Sequence, residues 1–194
     1  MTRDLLQEQA ADPGGATTPR VGPGRRSDVG VVNWVSGVVL GRASGTGPPN
    51  LFTTLGRTRG LYRGWLHFAG RLMPGGSLPR RESELVILRV AHLRGCTYEW
   101  EHHVRLGAKA GVDADDLARV QAGPQADGWS DRERAILVAV DELHAHQDLT
   151  DATWTELRAH LDERRAVELV LLVGHYELLA TTIATLRIQP DHHR

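Results

Sequence analysis

The 194-residue sequence contains a single cysteine, Cys96, so an internal disulfide is excluded. Its charges nearly balance at a net −1, so no overall field favours nucleic acid or an acidic membrane. No uninterrupted apolar run approaches the roughly 18–20 residues that span a bilayer. The first residues also lack the pattern of a secretory signal. We therefore expect a cytoplasmic protein that contacts neither nucleic acid nor a membrane.

Strand-like alternation is also missing beyond a few residues, which predicts an all-α fold. Residues 1–30 are rich in Gly, Pro, Arg and Asp and are expected to form a mobile, disordered tail. Residues 31–49 read as an apolar arm, VVNWVSGVVL, followed by a flexible linker. Residues 50–190 carry helical periodicity and are expected to form one domain with a full core.

Start and stop signals divide this domain into helices. Arg80–His92 follows a proline, and Cys96–Ala110 ends at a glycine. Asp113, Ser130 and Thr150 are expected to cap the next three helices.

Periodicity then predicts which faces are buried. Asn50 is expected to cap the first helix of the domain, and residues 162–186 are apolar on most of the helix circumference. That last helix is expected to be buried in the core or in an oligomer interface. The inward positions predicted for the other helices are Leu61, Trp65, Phe68, Ala69, Leu72, Leu85, Leu88 and Ala91.

One constellation carries chemistry. Cys96, Glu99 and His103 are spaced i, i+3 and i+7, which places them on one helix face. Glu84 lies on the preceding helix, which a tight turn is expected to fold back. A carboxylate pair beside an imidazole can move protons. Cys96 lies in a first helical turn, where the dipole favours a thiolate, although a lone cysteine is also commonly a buried apolar residue.

A metal site is not expected. His144 and His146 are two residues apart and point about 160° from each other on a helix, whereas a two-histidine site needs i, i+4 spacing. His102 and His103 are adjacent, so only one of them can face the site, and the spacing from Glu99 selects His103.

The strings LPRRESELVILR, GCTYEWEHH, AGV and GHYELLATTIATL resemble the carboxymuconolactone decarboxylase family, which shares its fold with alkylhydroperoxidase D-like proteins. The resemblance covers roughly residues 50–189 and implies an all-α fold whose helices interlock into a dimer, trimer or hexamer. Peroxidase members have Glu, then Cys-x-x-Cys-x-x-x-His. Here Glu84, Cys96 and His103 match that pattern, but Glu99 replaces the second cysteine.

This departure removes the disulfide cycle of a two-cysteine peroxidase. The resemblance to decarboxylase members implies an acid–base pair of Glu99 and His103, with Glu84 orienting the histidine. The substrate would be a small carboxylated or lactone-type molecule, and no cofactor would be needed. The candidate substrate-binding residues are Arg89 (with Arg94 as an alternative), Tyr98, Trp100, His175 and Tyr176.

Two other functions remain open from the sequence. One is a one-cysteine alkylhydroperoxidase-like antioxidant enzyme that uses Cys96 and an external thiol. The other is a non-catalytic helical assembly or partner-binding module, because a fold does not dictate a function. These hypotheses differ in where they place Glu84, Glu99 and His103, which the catalytic readings require in a sheltered pocket.

Overall fold

The computed structural model describes residues 18–44 and 48–191, and every regular element within these residues is an α-helix. The all-α prediction is therefore confirmed. In chain order the helices are α1 (Arg26–Val29), α2 (Val31–Ser44), α3 (Asn50–Gly56), α4 (Gly60–Leu72), α5 (Arg80–Leu93), α6 (Thr97–Lys109), α7 (Ala114–Ala122), α8 (Asp131–His146), α9 (Asp151–His160) and α10 (Glu163–Leu186).

Most of the predicted helix ends are confirmed by side-chain caps. Asp113, Ser130 and Thr150 each accept a hydrogen bond from a backbone N–H in the first turn of the helix that follows. Asn50 differs from its prediction, since it is the first residue of α3 and Pro49 occupies the cap position. The side chain of Asn50 is used instead to bind backbone carbonyl oxygens of the C-terminal segment.

Helix α10 forms the centre of the core. Its buried face includes Leu169, Leu172 and Val173 and packs with residues of α5 and α8 in one apolar cluster. By length and composition α10 could cross a bilayer, although Glu168 and Glu177 interrupt its apolar residues. The core helix of a soluble protein passes the same test, and 44% of the apolar window of α10 is buried.

The outward face of α10 is also apolar. The exposed residues on this stripe are Val167, Val170, Leu171 and Leu178. Their exposure explains why the helix looks apolar around most of its circumference, since only part of that circumference is buried within one chain. Burial of this stripe in a homo-oligomer stays a prediction.

Helix α4 is rotated relative to its predicted inward face. Leu61 is 73% exposed and Phe68 is 40% exposed, while Tyr62 is buried. The reason is the packing of the preceding helices, which a periodicity argument on α4 alone does not include. The Tyr62 hydroxyl lies 3.3 Å from Ser36 Oγ on α2, so that helix covers the Tyr62 side of α4.

The residues before α2 differ from the predicted mobile tail. Residues 18–30 pack on the domain, with Gly24 N–H donating to Thr53 O at 3.2 Å and Val29 buried at 2% exposure. A Cβ at Gly24 would lie 2.7 Å from Thr53 O, so this close approach requires glycine. The remainder of the predicted tail, residues 1–17, and the linker residues 45–47 lie outside the described residues.

A tight turn at Arg94 and Gly95 sets the register of the functional residues. Gly95 has φ +57°, which glycine adopts without strain, and Cys96 N–H donates to Ala91 O at 2.8 Å. Helices α5 and α6 consequently lie side by side and antiparallel, as a helical hairpin. Glu84 on α5 therefore lies level with His103 on α6.

The start of α5 is fixed to α10 by one carboxylate. Glu168 accepts hydrogen bonds from the N–H groups of Ser77 and Leu78 at 2.7–2.9 Å. Burial raises the pKa of Glu168, but these hydrogen bonds outweigh burial and hold the pKa below its usual range. The loop that delivers α5 is thereby tied to the central helix.

We expect Glu168→Gln to lower the free energy of unfolding by about 1–3 kcal/mol at neutral pH, because at least one of the two amides loses its acceptor. The wild-type contribution is present above the ordinary carboxyl pKa and is lost as pH falls through the lowered pKa. Urea unfolding from pH 7 to pH 3 measures both effects. Glu156→Gln is the matched control, since that side chain is 66% exposed. Equal stability of the two variants would contradict the assignment.

Candidate active site

An imidazole between two carboxylates forms the centre of the site. His103 Nδ1 lies 2.7 Å from Glu84 Oε2, and His103 Nε2 lies 3.4 Å from Glu99 Oε2. All three residues are buried, and Glu84 has no exposed surface. The structure therefore brings together the three residues that the sequence singled out for proton exchange.

Local geometry explains this convergence. Glu99 and His103 are one helical turn apart on α6, and the α5–α6 hairpin presents Glu84 from the facing helix. Glu84 contacts Nδ1 of the His103 ring and Glu99 contacts Nε2, so the two carboxylates fix the plane of the ring. Neither nitrogen can turn away without breaking an interaction inside the core.

The two carboxylates stabilise the charged imidazolium. Burial lowers the pKa of His103, but the hydrogen bonds to Glu84 and Glu99 outweigh burial and raise this pKa to about 9. At neutral pH His103 is consequently protonated, and both of its nitrogens donate.

Tyr176 contacts His103 from α10, and His175 lies beside Tyr176 on the same helix. The Tyr176 hydroxyl lies 3.3 Å from His103 Nε2, and burial raises the Tyr176 pKa well above its usual range. The His175 ring stacks on Trp65 at 5.9 Å, and burial lowers the His175 pKa, so this histidine is neutral at pH 7. Both residues line the cavity described next, as their prediction as substrate-binding residues requires.

A cavity of about 290 Å³ opens beside the network. Its wall is largely apolar, and its polar positions include Glu99, His103 and Arg80. The remaining lining residues are Leu40, Pro49, Leu51, Phe52, Trp65, Leu66, Ala69, Gly70, Met73, Pro74, Tyr98, His102, Leu106, His175, Tyr176 and Leu179. The volume suits a small organic molecule.

Three lining residues have buried polar atoms with no hydrogen-bond partner among the described residues. These atoms are Glu99 Oε1, Arg80 Nη1 and Trp65 Nε1. Buried polar groups are nearly always paired, so these three atoms are available to bind a ligand or ordered water in the cavity. The sequence reasoning missed Arg80 and Trp65 as site residues; the one available signal was the i, i+4 spacing of Arg80 and Glu84.

Cys96 does not fit the predicted thiolate. Burial is the main cause that raises the pKa of the Cys96 thiol to about 11, and the nearby Glu99 charge adds to it. Cys96 is the N-cap residue of α6, but the favourable dipole there is smaller than the desolvation effect. The thiol also does not line the cavity that the described residues form.

The predicted substrate-binding arginines lie elsewhere. Arg89 is held by Asp141 at 2.7 and 2.8 Å and by Val120 O, so its guanidinium is engaged in joining helices. Arg94 binds Thr181 and Glu177 at the surface. Neither lines the cavity of the described residues. Arg89 leaves α5 on the side opposite Arg80, and Arg94 follows the other end of the helix, roughly 20 Å along its axis from Arg80.

Of the two aromatic residues predicted to contact the substrate, Tyr98 lines the cavity and Trp100 packs in the core. Trp100 packs against the second apolar cluster and does not line the cavity of the described residues, so the cavity does not support its prediction as a substrate contact. Tyr98 lines the cavity with its ring, but its hydroxyl donates to Asp191 Oδ2 at 2.7 Å and accepts from Leu51 N–H. His102, predicted to face away, also lines the cavity.

Within residues 18–44 and 48–191, no group of three His, Cys, Asp or Glu side chains is arranged to hold a metal ion. Asp141 is paired with Arg89, and His144 Nδ1 lies 2.7 Å from Glu177 Oε1. In the described part of the chain, the cluster around His103 is therefore the candidate for acid–base chemistry.

Comparison with solved structures identifies the fold class as alkylhydroperoxidase D-like. The alkylhydroperoxidase AhpD core of an uncharacterised peroxidase-related protein from Ralstonia eutropha JMP134 superimposes with a TM-score of 0.74 at 18% identity, covering 90% of this chain and 94% of that one. The debrominase Bmp8 superimposes with a TM-score of 0.72 at 19% identity, covering 89% and 92%. At these identities the likeness concerns the fold.

Residues 59–142 match the model of the carboxymuconolactone decarboxylase family. The uncharacterised protein YdfG of Bacillus subtilis (strain 168) is 29% identical over 104 residues, covering 50% of this chain and 68% of that protein. The family resemblance expected from the sequence is therefore confirmed.

We expect the His103 ring to titrate near pH 9 in an NMR titration of the imidazole carbons, and Glu84→Gln to shift this midpoint downward. Because the folded pKa lies above 6.5, the stabilising contribution of His103 is complete below that pH and disappears as pH rises through about 9. Unfolding free energies of wild type and His103→Asn should therefore converge on the alkaline side. A midpoint at or below 6.5 would contradict this assignment.

Proposed function

We propose that this protein is an enzyme that performs cofactor-free acid–base chemistry, a decarboxylation or an isomerisation, on a small carboxylated or lactone-type substrate. The observation that carries the proposal is the unpartnered Glu99 Oε1 at the cavity beside a protonated His103. The carboxylate is a base with a free lone pair, and the imidazolium is an acid 3.4 Å from it. Such a pair is suited to proton transfer.

In an isomerisation, Glu99 Oε1 takes a proton from the carbon next to a carbonyl group. The electron pair of the broken C–H bond moves onto the carbonyl oxygen as an enolate. His103 Nε2–H and the Tyr176 hydroxyl are the donors available to stabilise that oxygen. Where that enolate is conjugated with a carbon–carbon double bond, Glu99 returns the proton to the far carbon of the dienolate. The carbon–carbon double bond shifts and the carbonyl group is restored, so no atom or electron is lost.

In a decarboxylation, the bond between carbon and the carboxylate breaks, and its electron pair stays on the substrate while carbon dioxide leaves. His103 or protonated Glu99 then delivers one proton to that carbon. Glu84 keeps the imidazole ring in place through Nδ1 and, having no exposed surface, does not meet the substrate. Its role is to position His103 and to hold its charge.

Burial supports an enzyme over a non-catalytic module. Glu84, Glu99 and His103 are each at most 4% exposed, whereas a partner-binding module has no need of two acids and an imidazolium inside the chain. Holding such charges in a core is unfavourable unless they are paired, so their presence is better explained by a task performed there.

The peroxidase alternative receives less support. The solved structures that share the fold include proteins described as peroxidase-related, and one described as a debrominase has also been solved with 2,3,4-tribromopyrrole. A one-cysteine cycle needs an accessible thiolate. The buried Cys96 thiol, with its raised pKa, offers neither accessibility nor charge at neutral pH.

We expect Glu99→Gln and His103→Asn each to lower kcat by a factor on the order of 10²–10⁴, since each removes one partner of the proton transfer. The assay is turnover of a panel of small β-keto acids and lactone carboxylates, followed by carbon dioxide release and by deuterium incorporation from heavy water. Glu101→Gln is the matched control, because Glu101 is exposed on the same helix.

Circular dichroism and gel filtration verify that the variants keep their helicity and size. Turnover that survives both Glu99→Gln and His103→Asn in folded protein would refute the acid–base assignment. Loss of turnover in Glu101→Gln as well would indicate a general defect of the helix rather than a site effect.

We expect Cys96→Ser to retain the activity lost in Glu99→Gln, and the wild-type thiol to react with a disulfide reagent only after unfolding, because Cys96 is buried and protonated. The measurement is thiol labelling in buffer and in denaturant. Rapid labelling of the folded protein, together with thiol-dependent hydroperoxide consumption that Cys96→Ser abolishes, would favour the one-cysteine peroxidase instead.

A further inference from the structure

We propose that Arg80 and Trp65 form the anion-binding end of the cavity and select a planar oxyanion, such as a carboxylate conjugated to a ring. The inference rests on the proposed function in one respect: it takes the cavity to be where the substrate lies. It assigns the residues that choose the substrate, a role for which the sequence had pointed to Arg89 or Arg94.

Arg80 has one half of its guanidinium available. Its Nη2 lies 2.6 Å from Glu84 Oε1, while Nη1 is buried and has no hydrogen-bond partner among the described residues. A guanidinium carries five donors in a planar fork, so it can hold one carboxylate on each side. Arg80 can therefore bind a ligand anion without releasing Glu84.

The position of Arg80 at a helix N-terminus adds a partial positive charge to that of its guanidinium. It is the first residue of the 14-residue helix α5, whose N-cap, Pro79, offers no side-chain cap. The free N–H groups of a helix N-terminus favour an anion nearby. The helix N-terminus adds to the attraction of the guanidinium for an anion. It would not define a binding site without the unpartnered Nη1 of Arg80.

Trp65 supplies a second donor from the opposite element, α4. Its indole Nε1 is buried without a partner, and an indole nitrogen can only donate. A ligand with two oxygens supplies one acceptor for Arg80 Nη1 and a second acceptor for Trp65 Nε1. Two donors from different helices define an oxyanion with two oxygens better than one donor would.

The surrounding rings indicate a flat ligand. Trp65 stacks on His175 with ring planes 23° apart, and the ring centroids of Phe52 and Trp65 are 5.8 Å apart. All three residues line the cavity. Aromatic walls of this kind accommodate planar rings by stacking or edge contacts. The unpartnered Glu99 Oε1 then meets the acidic hydrogen or donor group of that ring.

Other cations are committed elsewhere. His103 is flanked by two carboxylates, which neutralise its charge toward an incoming anion. Arg89 is bidentate with Asp141, and Arg94 lies outside the cavity wall of the described residues. Among the charged residues at this wall, Arg80 therefore remains the one cation with an unengaged buried nitrogen.

The test uses benzoate and benzamide, two unreactive planar probes of nearly equal size that differ in charge at pH 7. Titration calorimetry gives their dissociation constants, and the indole N–H signals in a ¹⁵N spectrum report contact with Trp65. We expect benzoate to bind at least tenfold more tightly than benzamide and to shift the indole signal that is missing in Trp65→Phe.

We expect Arg80→Gln to weaken benzoate binding at least tenfold and to leave benzamide binding within about twofold. Arg80→Lys should recover only part of the loss, because an ammonium keeps the charge but lacks the fork. Arg94→Gln is the matched control, being a half-buried arginine also paired with a glutamate, and should bind like wild type.

Equal binding of benzoate and benzamide by the wild type would overturn the proposal without reference to any variant. Undiminished benzoate binding by folded Arg80→Gln would overturn it as well. Glu99→Gln separates this proposal from the acid–base function: turnover lost with charge-selective binding retained supports both. Charge-selective binding in a protein with no acid–base turnover would keep the anion site and refute the enzyme.

Discussion

The buried interaction between His103 and its two carboxylates sets the terms for the rest of the site. Two carboxylates in a core are tolerated when cations of equal number compensate them. His103 supplies one positive charge and Arg80, 2.6 Å from Glu84, supplies the other. The four groups sum to zero, and each is held by at least one of the others. The cluster is consequently a rigid set of oriented charges rather than a collection of independent side chains.

This compensation also explains how the cluster can act on a ligand. Glu84 has no exposed surface and forms an ion pair with each cation. Glu99 Oε1 and Arg80 Nη1 have no hydrogen-bond partner among the described residues. In the proposed function, an anion that carries a transferable proton binds both of these atoms. Glu84 contacts both His103 and Arg80 and so links the proposed proton transfer to the proposed anion selection.

The sequence predicted those parts of the site that depend on local helix geometry. Glu99 and His103 share a face because of their i, i+4 spacing, and Glu84 meets them because Arg94 and Gly95 fold α5 back onto α6. Parts that depend on packing between distant elements were not predictable. Leu61 and Phe68, predicted inward, are exposed because α2 covers the Tyr62 side of α4. The thiolate expected at Cys96 is prevented by burial, which no spacing rule contains.

The cavity wall draws on residues both inside and outside the part of the chain that matches the family. Glu99, His103, Arg80 and Trp65 all fall within residues 59–142. Other lining residues lie outside that range: Leu40, Pro49, Leu51 and Phe52 precede it, and His175, Tyr176 and Leu179 follow it. The family match therefore covers the acid–base groups and the proposed anion-binding residues, but not these two parts of the wall. Because the N-terminal helices and α10 shape that wall, substrate size is expected to vary with these segments even where the hairpin of α5 and α6 is unchanged.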